Sequence, residues 1–213
     1  MATYAPPVQV DGPAMSFEEY LEAYDGVHAE WVDGRVYVVS PGNEPQGRLS
    51  RFLSSIIQYW SDVHDGLGET YVNAYPVRLN EETAREPDVF FIRREHADRA
   101  HGTFVEGAVD LVVEVVSPST RAVDRGVKYY EYEQAGVPEY WLVDPLRERV
   151  EAYRLGTGGV YEPVALDEPP VLRSEAALPG MWIPVAWLWQ NPHPRLPLVI
   201  EAWSSSPGQK EQP

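Results

Sequence analysis

The sequence predicts a mixed α/β (α+β) fold: a central sheet of parallel and antiparallel strands flanked by helices, with β additions at the N-terminal and C-terminal ends. Three observations carry this expectation. Val109 to Pro118 reads Val-Asp-Leu-Val-Val-Glu-Val-Val-Ser-Pro, a density of Val and Leu that marks a short strand buried on both faces and stopped by Ser-Pro. A helix-forming stretch from Ser119 or Thr120 to Gln134 and a second apolar run, Glu139 to Val143, follow it. Strand, helix and strand can then form a parallel crossover, which would be right-handed. Further strand-like segments precede and follow this unit, so a mixed sheet is the expected arrangement.

Taken in order, residues 1–15 carry Pro6, Pro7 and Pro13 without periodicity and read as a flexible arm. Ser16-Phe17-Glu18-Glu19 has the capping-box pattern and starts a short helix through Tyr24. His28 to Val39 reads as two strands around the turn signal Asp33-Gly34. Leu49, Phe52, Leu53, Ile56, Ile57 and Trp60 recur at helical spacing, giving an amphipathic helix from about Pro45 to His64. Thr70 to Leu79 reads as a strand bulged at Pro76. Val89 to Ile92 is a short apolar strand with Asp88 at its entrance, and Arg93 to Gly107 reads as a polar loop. Arg149 to Arg154 and Val160 to Ala165 form a hairpin around Gly156 to Gly159, and Trp182 to Trp189 is core or an association surface. The expected organisation is one domain over 16–203 with a disordered tail over 204–213.

At 213 residues, 44% hydrophobic and 12% aromatic, the chain can bury a real core. No run reaches the ~18 apolar residues of a membrane span, and no signal peptide is recognisable at the start, so a cytoplasmic setting is the default. The absence of cysteine excludes disulfides, thiolate chemistry and cysteine-bound metals. A net charge of −16 predicts no general affinity for phosphate backbones. Nucleic-acid chemistry would need a local basic face or a bound metal.

The chemistry centres on Glu114. Strand alternation puts Leu111, Val113 and Val115 on one face and Val112, Glu114 and Val116 on the other. A carboxylate in such a strand needs a cation, a metal or a retained proton, so Glu114 is either a salt-bridged or edge residue or a metal ligand. Of 17 basic residues only Lys128 and Lys210 are lysines, and Lys210 lies in the terminal tail. A compact, tunable ammonium kept at one interior position marks Lys128 as a candidate for chemistry, with chance as the alternative. Helical spacing puts Asp124 and Lys128 one turn apart, as a surface ion pair or as part of a site. Asp88, Glu114 and Lys128 would meet at one end of a sheet, where two carboxylates and several waters suit Mg²⁺ or Mn²⁺.

Glu86-Pro87-Asp88-Val89, Val112-Val113-Glu114-Val115-Val116-Ser117-Pro118-Ser119-Thr120, Asp124, Lys128-Tyr129 and Gly136-Val137-Pro138-Glu139-Tyr140-Trp141-Leu142-Val143-Asp144-Pro145 together resemble the Uma2 (DUF820) family, grouped with the PD-(D/E)XK restriction-endonuclease-like nucleases. Ala29-Glu30-Trp31-Val32-Asp33-Gly34 extends the resemblance to about Ser16 to Trp189. It implies a restriction-endonuclease-like core and a metal-dependent endonuclease acting on DNA, with Asp88 and Glu114 as Mg²⁺ ligands. The general nuclease pattern wants a lysine two residues after the acid, where this chain has Val116; in Uma2-like sequences the following helix carries it, and Lys128 matches. Glu30 matches a family acid and is an auxiliary ligand or a hairpin surface residue. Family members often have a histidine near the start of the long first helix; this chain has Gln46-Gly47-Arg48. Arg121 and Arg125 are placed to contact phosphate, and nuclease folds often form homodimers.

Two other classes fit parts of the sequence. A nuclease fold without cleavage, serving as an acidic interaction module, accommodates the charge. A glycosidase would use the carboxylate pair but leaves the lysine unexplained. His96 and His101 lack zinc-site spacing and read as exposed, and no nucleophile elbow, phosphate-binding loop or dinucleotide fingerprint occurs.

Overall fold

The protein is seen here as a computed structural model that describes residues 8–10, 14–39, 44–72 and 75–205. In chain order the elements are β1 (Val8–Gln9), α1 (Phe17–Ala23), β2 (Ala29–Val32), β3 (Arg35–Val38), α2 (Glu44–Val63), β4 (Gly68–Val72), β5 (Val77–Asn80), β6 (Thr83–Arg85) and β7 (Val89–Arg93). A 3-10 helix (Arg94–Arg99), β8 (Val105–Glu106), β9 (Leu111–Val115), α3 (Arg121–Asp124), α4 (Val127–Ala135), β10 (Glu139–Asp144) and β11 (Arg149–Leu155) follow. The chain continues through β12 (Tyr161–Pro163), β13 (Val171–Ser174), β14 (Met181–Pro184), a 3-10 helix (Val185–Trp189) and α5 (Leu196–Ser205).

The central sheet has the order β12-β11-β10-β9-β7-β4. The β9–β10 pair is parallel and its other neighbours are antiparallel, so the sheet is mixed. A second sheet, β1-β3-β2-β6-β5-β8, is built from the N-terminal half, and β13 pairs with β14 near the other end. β9 is buried on both faces, as its composition predicts. Leu111, Val113 and Val115 join Leu53, Ile57, Trp60 and Trp141 in one core. Val112 and Val116 join Phe90, Tyr132, Tyr140 and Leu142 in another. The apolar stripe of α2 covers the first face because Leu49, Phe52, Leu53, Ile56, Ile57 and Trp60 fall on one side of the helix. Tyr132 of α4 reaches the second.

The N-terminal elements form as expected. Ser16 and Glu19 make a reciprocal capping box at α1, and Asp33 (φ 51°) with Gly34 (φ 72°) supplies the left-handed pair that a tight β2–β3 hairpin requires. Several expectations are corrected. The strand expected over Thr70 to Leu79 is split between sheets: β4 pairs with β7, and β5 pairs with β6 and β8. Pro76 cannot donate to a ladder, and its carbonyl accepts from the Val105 N–H at 2.8 Å. The single helix expected to reach Gln134 is broken between α3 and α4 at Gly126, where a Cβ would lie 2.6 Å from the Ala122 carbonyl. The loop expected over Arg93 to Gly107 contains a 3-10 helix and β8.

The arm over 1–15 is not wholly loose. β1 pairs with β3, the Met15 N–H donates to the Gly34 carbonyl at 2.8 Å, and Trp31 Nε1 donates to the Met15 carbonyl at 3.0 Å; residues 1–7 and 11–13 lie outside the described residues. Of the tail expected over 204–213, Ser204 and Ser205 close α5, a helix the sequence reading did not foresee; the rest lies outside the described residues. α5 buries Trp203, whose Nε1 donates to the Trp182 carbonyl at 2.8 Å. Among the described residues no helix is long and apolar enough to cross a membrane.

Candidate active site

Strand register brings Asp88 and Glu114 together. Val89 pairs with Val113 and Phe90 with Val112 across antiparallel β7 and β9, so one step further places Asp88 beside Glu114 on the same face. The Val115 N–H donates to Asp88 Oδ2 at 2.7 Å and fixes that carboxylate. Glu114 is buried, and its Oε1 accepts from Lys128 Nζ at 2.9 Å and from the Tyr132 hydroxyl at 2.9 Å. Lys128 and Tyr132 are four residues apart on α4, so one helix turn presents both to the strand. The break at Gly126 does not separate Asp124 from Lys128, whose Nζ lies 3.8 Å from Asp124 Oδ1.

The second sheet completes the cluster. Glu30 of β2 is buried, with Oε1 2.7 Å from Lys128 Nζ. Its Oε2 accepts from Arg85 Nη1 at 2.7 Å. Arg85 in turn holds Glu131 of α4 through two bonds of 2.7 Å. A line of alternating charges, Glu131–Arg85–Glu30–Lys128–Glu114, thus crosses the seam between the sheets. Val116 is buried among apolar side chains, and the lysine that touches the strand acid comes from α4.

Burial pulls the Lys128 pKa down, but Glu114, Glu30 and Asp124 together hold it well above the ordinary value. Burial disfavours a charged Glu30, yet Lys128 and Arg85 bring it down to about 2. Asp124 is pushed up to about 7 by burial and by Glu114, against the pull of Lys128. Its Oδ1 is buried without a hydrogen bond among the described residues. Burial, then the charge of Glu114, raises Asp88 well above the usual carboxylate range.

This donor set fits a hydrated divalent cation. Among the described residues Asp88 Oδ1 and Glu114 Oε2 take no hydrogen bond, and no group of three or more Asp, Glu or His is arranged to hold a metal. Two carboxylates completed by waters suit Mg²⁺ or Mn²⁺, which prefer oxygen ligands and keep much of their hydration.

The arginines considered for phosphate lie beside this cluster. Arg121 and Arg125 approach Asp144 Oδ2 at 3.5 and 3.6 Å, with side chains 30% and 25% exposed. Arg125 also donates to Glu151 at 2.7 Å. His96, expected to be exposed, is half-buried and lies 2.9 Å from Asp110.

Sequence reasoning missed Gln46, Tyr132, Arg85 and Glu86. Gln46 Nε2 donates to the Val115 carbonyl at 3.1 Å, so the first turn of α2 touches the residue after Glu114. Its signal was its place near the start of the long first helix. Tyr132 was legible as the residue one turn after Lys128. Glu86 is buried beside Tyr20, whose hydroxyl donates to the Ala29 carbonyl at 2.6 Å and lies 3.2 Å from Glu86 Oε1.

Burial pushes Glu86 up from 4.5 to about 8. The folded state therefore keeps a proton that the unfolded chain releases. The stability from this group is full below pH 4.5 and is lost as pH rises toward 8, by at most about 1.4 kcal/mol per pH unit. Glu86→Gln is expected to flatten this part of the stability–pH profile in urea denaturation. An unchanged slope would mean that Glu86 is ionised in the fold.

The mixed sheet, with helices on its faces and β structure added at both ends, makes this a mixed α/β protein. The chain belongs to the Uma2 family, described as "Putative restriction endonuclease", which matches residues 17–186. An uncharacterized protein of Synechocystis sp. is 30% identical over 151 residues, covering 69% of this chain and 77% of that protein. A crystal structure from Anabaena variabilis, described as a "putative nuclease belonging to DUF820", has a TM-score of 0.69 at 15% identity, covering 82% of this chain and 97% of that one.

Proposed function

We propose that this protein is a metal-dependent endonuclease that hydrolyses phosphodiester bonds of DNA, with Asp88 and Glu114 as ligands of Mg²⁺ or Mn²⁺. The observation that supports this reading is the pairing of two carboxylates at neighbouring register positions, one of them clasped by a buried lysine. A bound divalent cation supplies Lewis acidity and lowers the pKa of a coordinated water.

The chain's own residues do the rest. Lys128, held as an ammonium by three acids, takes no proton from water. It fixes Glu114 Oε1 together with Tyr132, and its charge favours negative charge developing on the phosphorane. Glu30 holds Lys128 from the opposite side. Asp124, at about 7, is the auxiliary acid best matched to moving a proton near neutral pH. Arg121 and Arg125 keep exposed surface for phosphate contacts. A cytoplasmic homodimer belongs to the same proposal.

The charge of −16 favours a second reading, an acidic interaction module that has lost cleavage. Incubation of mixed single- and double-stranded DNA with Mg²⁺ or Mn²⁺ separates the two. Cutting by the intact protein that falls at least about a hundredfold in Glu114→Gln is the expected result. Cutting that survives the substitution removes this site. With no cutting, calorimetric Mn²⁺ titration decides: bound metal points to the wrong substrate, and no bound metal to the interaction module.

A further inference from the structure

The nuclease reading leaves open how so acidic a chain holds a nucleic-acid strand, and a groove along α2 bears on this. Arg48, Arg51, Phe52 and Ser55 follow one side of α2 and, with His193 and Arg195 of the segment before α5, line a groove of about 370 Å³. That volume falls within the ~300–1,000 Å³ typical of ligand clefts.

Most arginines in this chain are paired with an acid, and Arg48 is among them, 3.1 Å from Glu44 and donating to Asn191. Arg51 and Arg195 differ. Both are exposed, and neither side chain has an ion pair or hydrogen bond among the described residues. Between the arginines, the His193 ring stacks on Phe52 with centroids 4.9 Å apart and planes at 15°. His193 Nδ1 lies 3.2 Å from the Trp187 carbonyl, so Nδ1 carries the proton of the neutral ring. Nε2 is then a buried acceptor, with no hydrogen bond among the described residues.

The groove shares α2 with one contact to the candidate active site, on a different side of the helix. Gln46, in the first turn of the same helix, touches Val115 beside Glu114. Arg48 and Arg51 follow two and five residues later, about 3 and 7.5 Å along the axis at ~1.5 Å per residue. Guanidinium groups pair well with phosphate oxygens, and an aromatic floor suits a sugar or base.

We infer that this groove binds a nucleic-acid strand, with its phosphates on Arg51 and Arg195 and a nucleotide over Phe52 and His193. The inference rests on the nuclease reading for its substrate, and it is tested separately from cutting. Fluorescence anisotropy with labelled single-stranded and duplex oligonucleotides, in EDTA so that nothing is cleaved, compares the intact protein with the double variant Arg51→Ala/Arg195→Ala. A control double variant, Arg154→Ala/Arg173→Ala, removes the same charge elsewhere.

The groove variant is expected to bind at least about tenfold more weakly, with the slope of log affinity against log salt reduced by between about one and two. The control should stay near the intact protein. Equal losses in the two variants, no loss in the groove variant, or no binding by the intact protein would overturn the groove. Cutting by the intact protein, assayed in parallel with Mg²⁺, tests the nuclease reading on its own. Groove-dependent binding without cutting would leave the groove standing, with the nuclease reading then decided by the Mn²⁺ titration.

Discussion

Lys128→Met is expected to lower folding stability by about 3–5 kcal/mol, because it leaves buried carboxylates facing one another with no charge between them. In a chain of this size that is a fall of about 6–20 °C in melting temperature. Lys128 is 5% exposed and lies within 4 Å of Glu30, Glu114 and Asp124. Of these, Glu30 alone retains a second cation, Arg85. Among the described residues Glu114 keeps only the Tyr132 hydroxyl on Oε1.

The loss should be strongly non-additive with neutralisation of the strand acid. Glu114→Gln can still accept from Tyr132, so Lys128→Met/Glu114→Gln should be more stable than Lys128→Met alone, with a coupling above about 1 kcal/mol. Urea or thermal unfolding of the two single variants and the double measures this. A loss below about 1 kcal/mol in Lys128→Met, or simple additivity, would mean that the ammonium does not hold the acids together.

The parts of this site legible in the sequence were those that broke a local rule. Glu114 stood out as a carboxylate inside a Val-rich strand, and Lys128 as a lysine in a chain that chooses arginine nearly everywhere. The structure explains both with one 2.9 Å contact. Asp88 was read as the carboxylate at the entrance of a short apolar strand and through the family resemblance, and its register beside Glu114 follows from β7 pairing with β9.

What stayed hidden depended on contacts between distant segments. Nothing local in Thr83-Ala84-Arg85 shows that it forms β6 or that Arg85 joins Glu30 of the neighbouring strand β2 to Glu131 of α4. Gly126 reads as a tolerable helical glycine until the close approach of the Ala122 carbonyl is seen. α5 was masked by the Pro- and Ser-rich sequence around it, although Pro197 sits in its first turn, where its missing N–H costs little.

Asp88→Asn is expected to reduce metal-dependent cutting by at least about a hundredfold while making the metal-free protein more stable. Burial and the charge of Glu114 hold Asp88 well above the usual carboxylate range, so its ionised form is disfavoured in the fold. Asparagine removes that charge, and its oxygen can still accept the Val115 N–H that now bonds Oδ2 at 2.7 Å. The expected gain at neutral pH is about 0.5–2 kcal/mol. Its sign follows from proton linkage: a raised folded pKa gives stability at low pH that is lost as pH rises through the folded value. The advantage of Asp88→Asn should therefore vanish in acid, where Asp88 is already protonated, and grow toward neutrality. Mn²⁺ should reverse the order. A ligand that binds only the folded protein stabilises it by about 2.7 kcal/mol at a hundred times its Kd, and the variant would lack one of the two carboxylates that hold it. Melting curves with and without Mn²⁺, beside a cleavage assay, give all three readouts. If Mn²⁺ raises both proteins equally, Asp88 is not a ligand; if the variant is less stable without metal, the ionised form of Asp88 is not disfavoured in the fold.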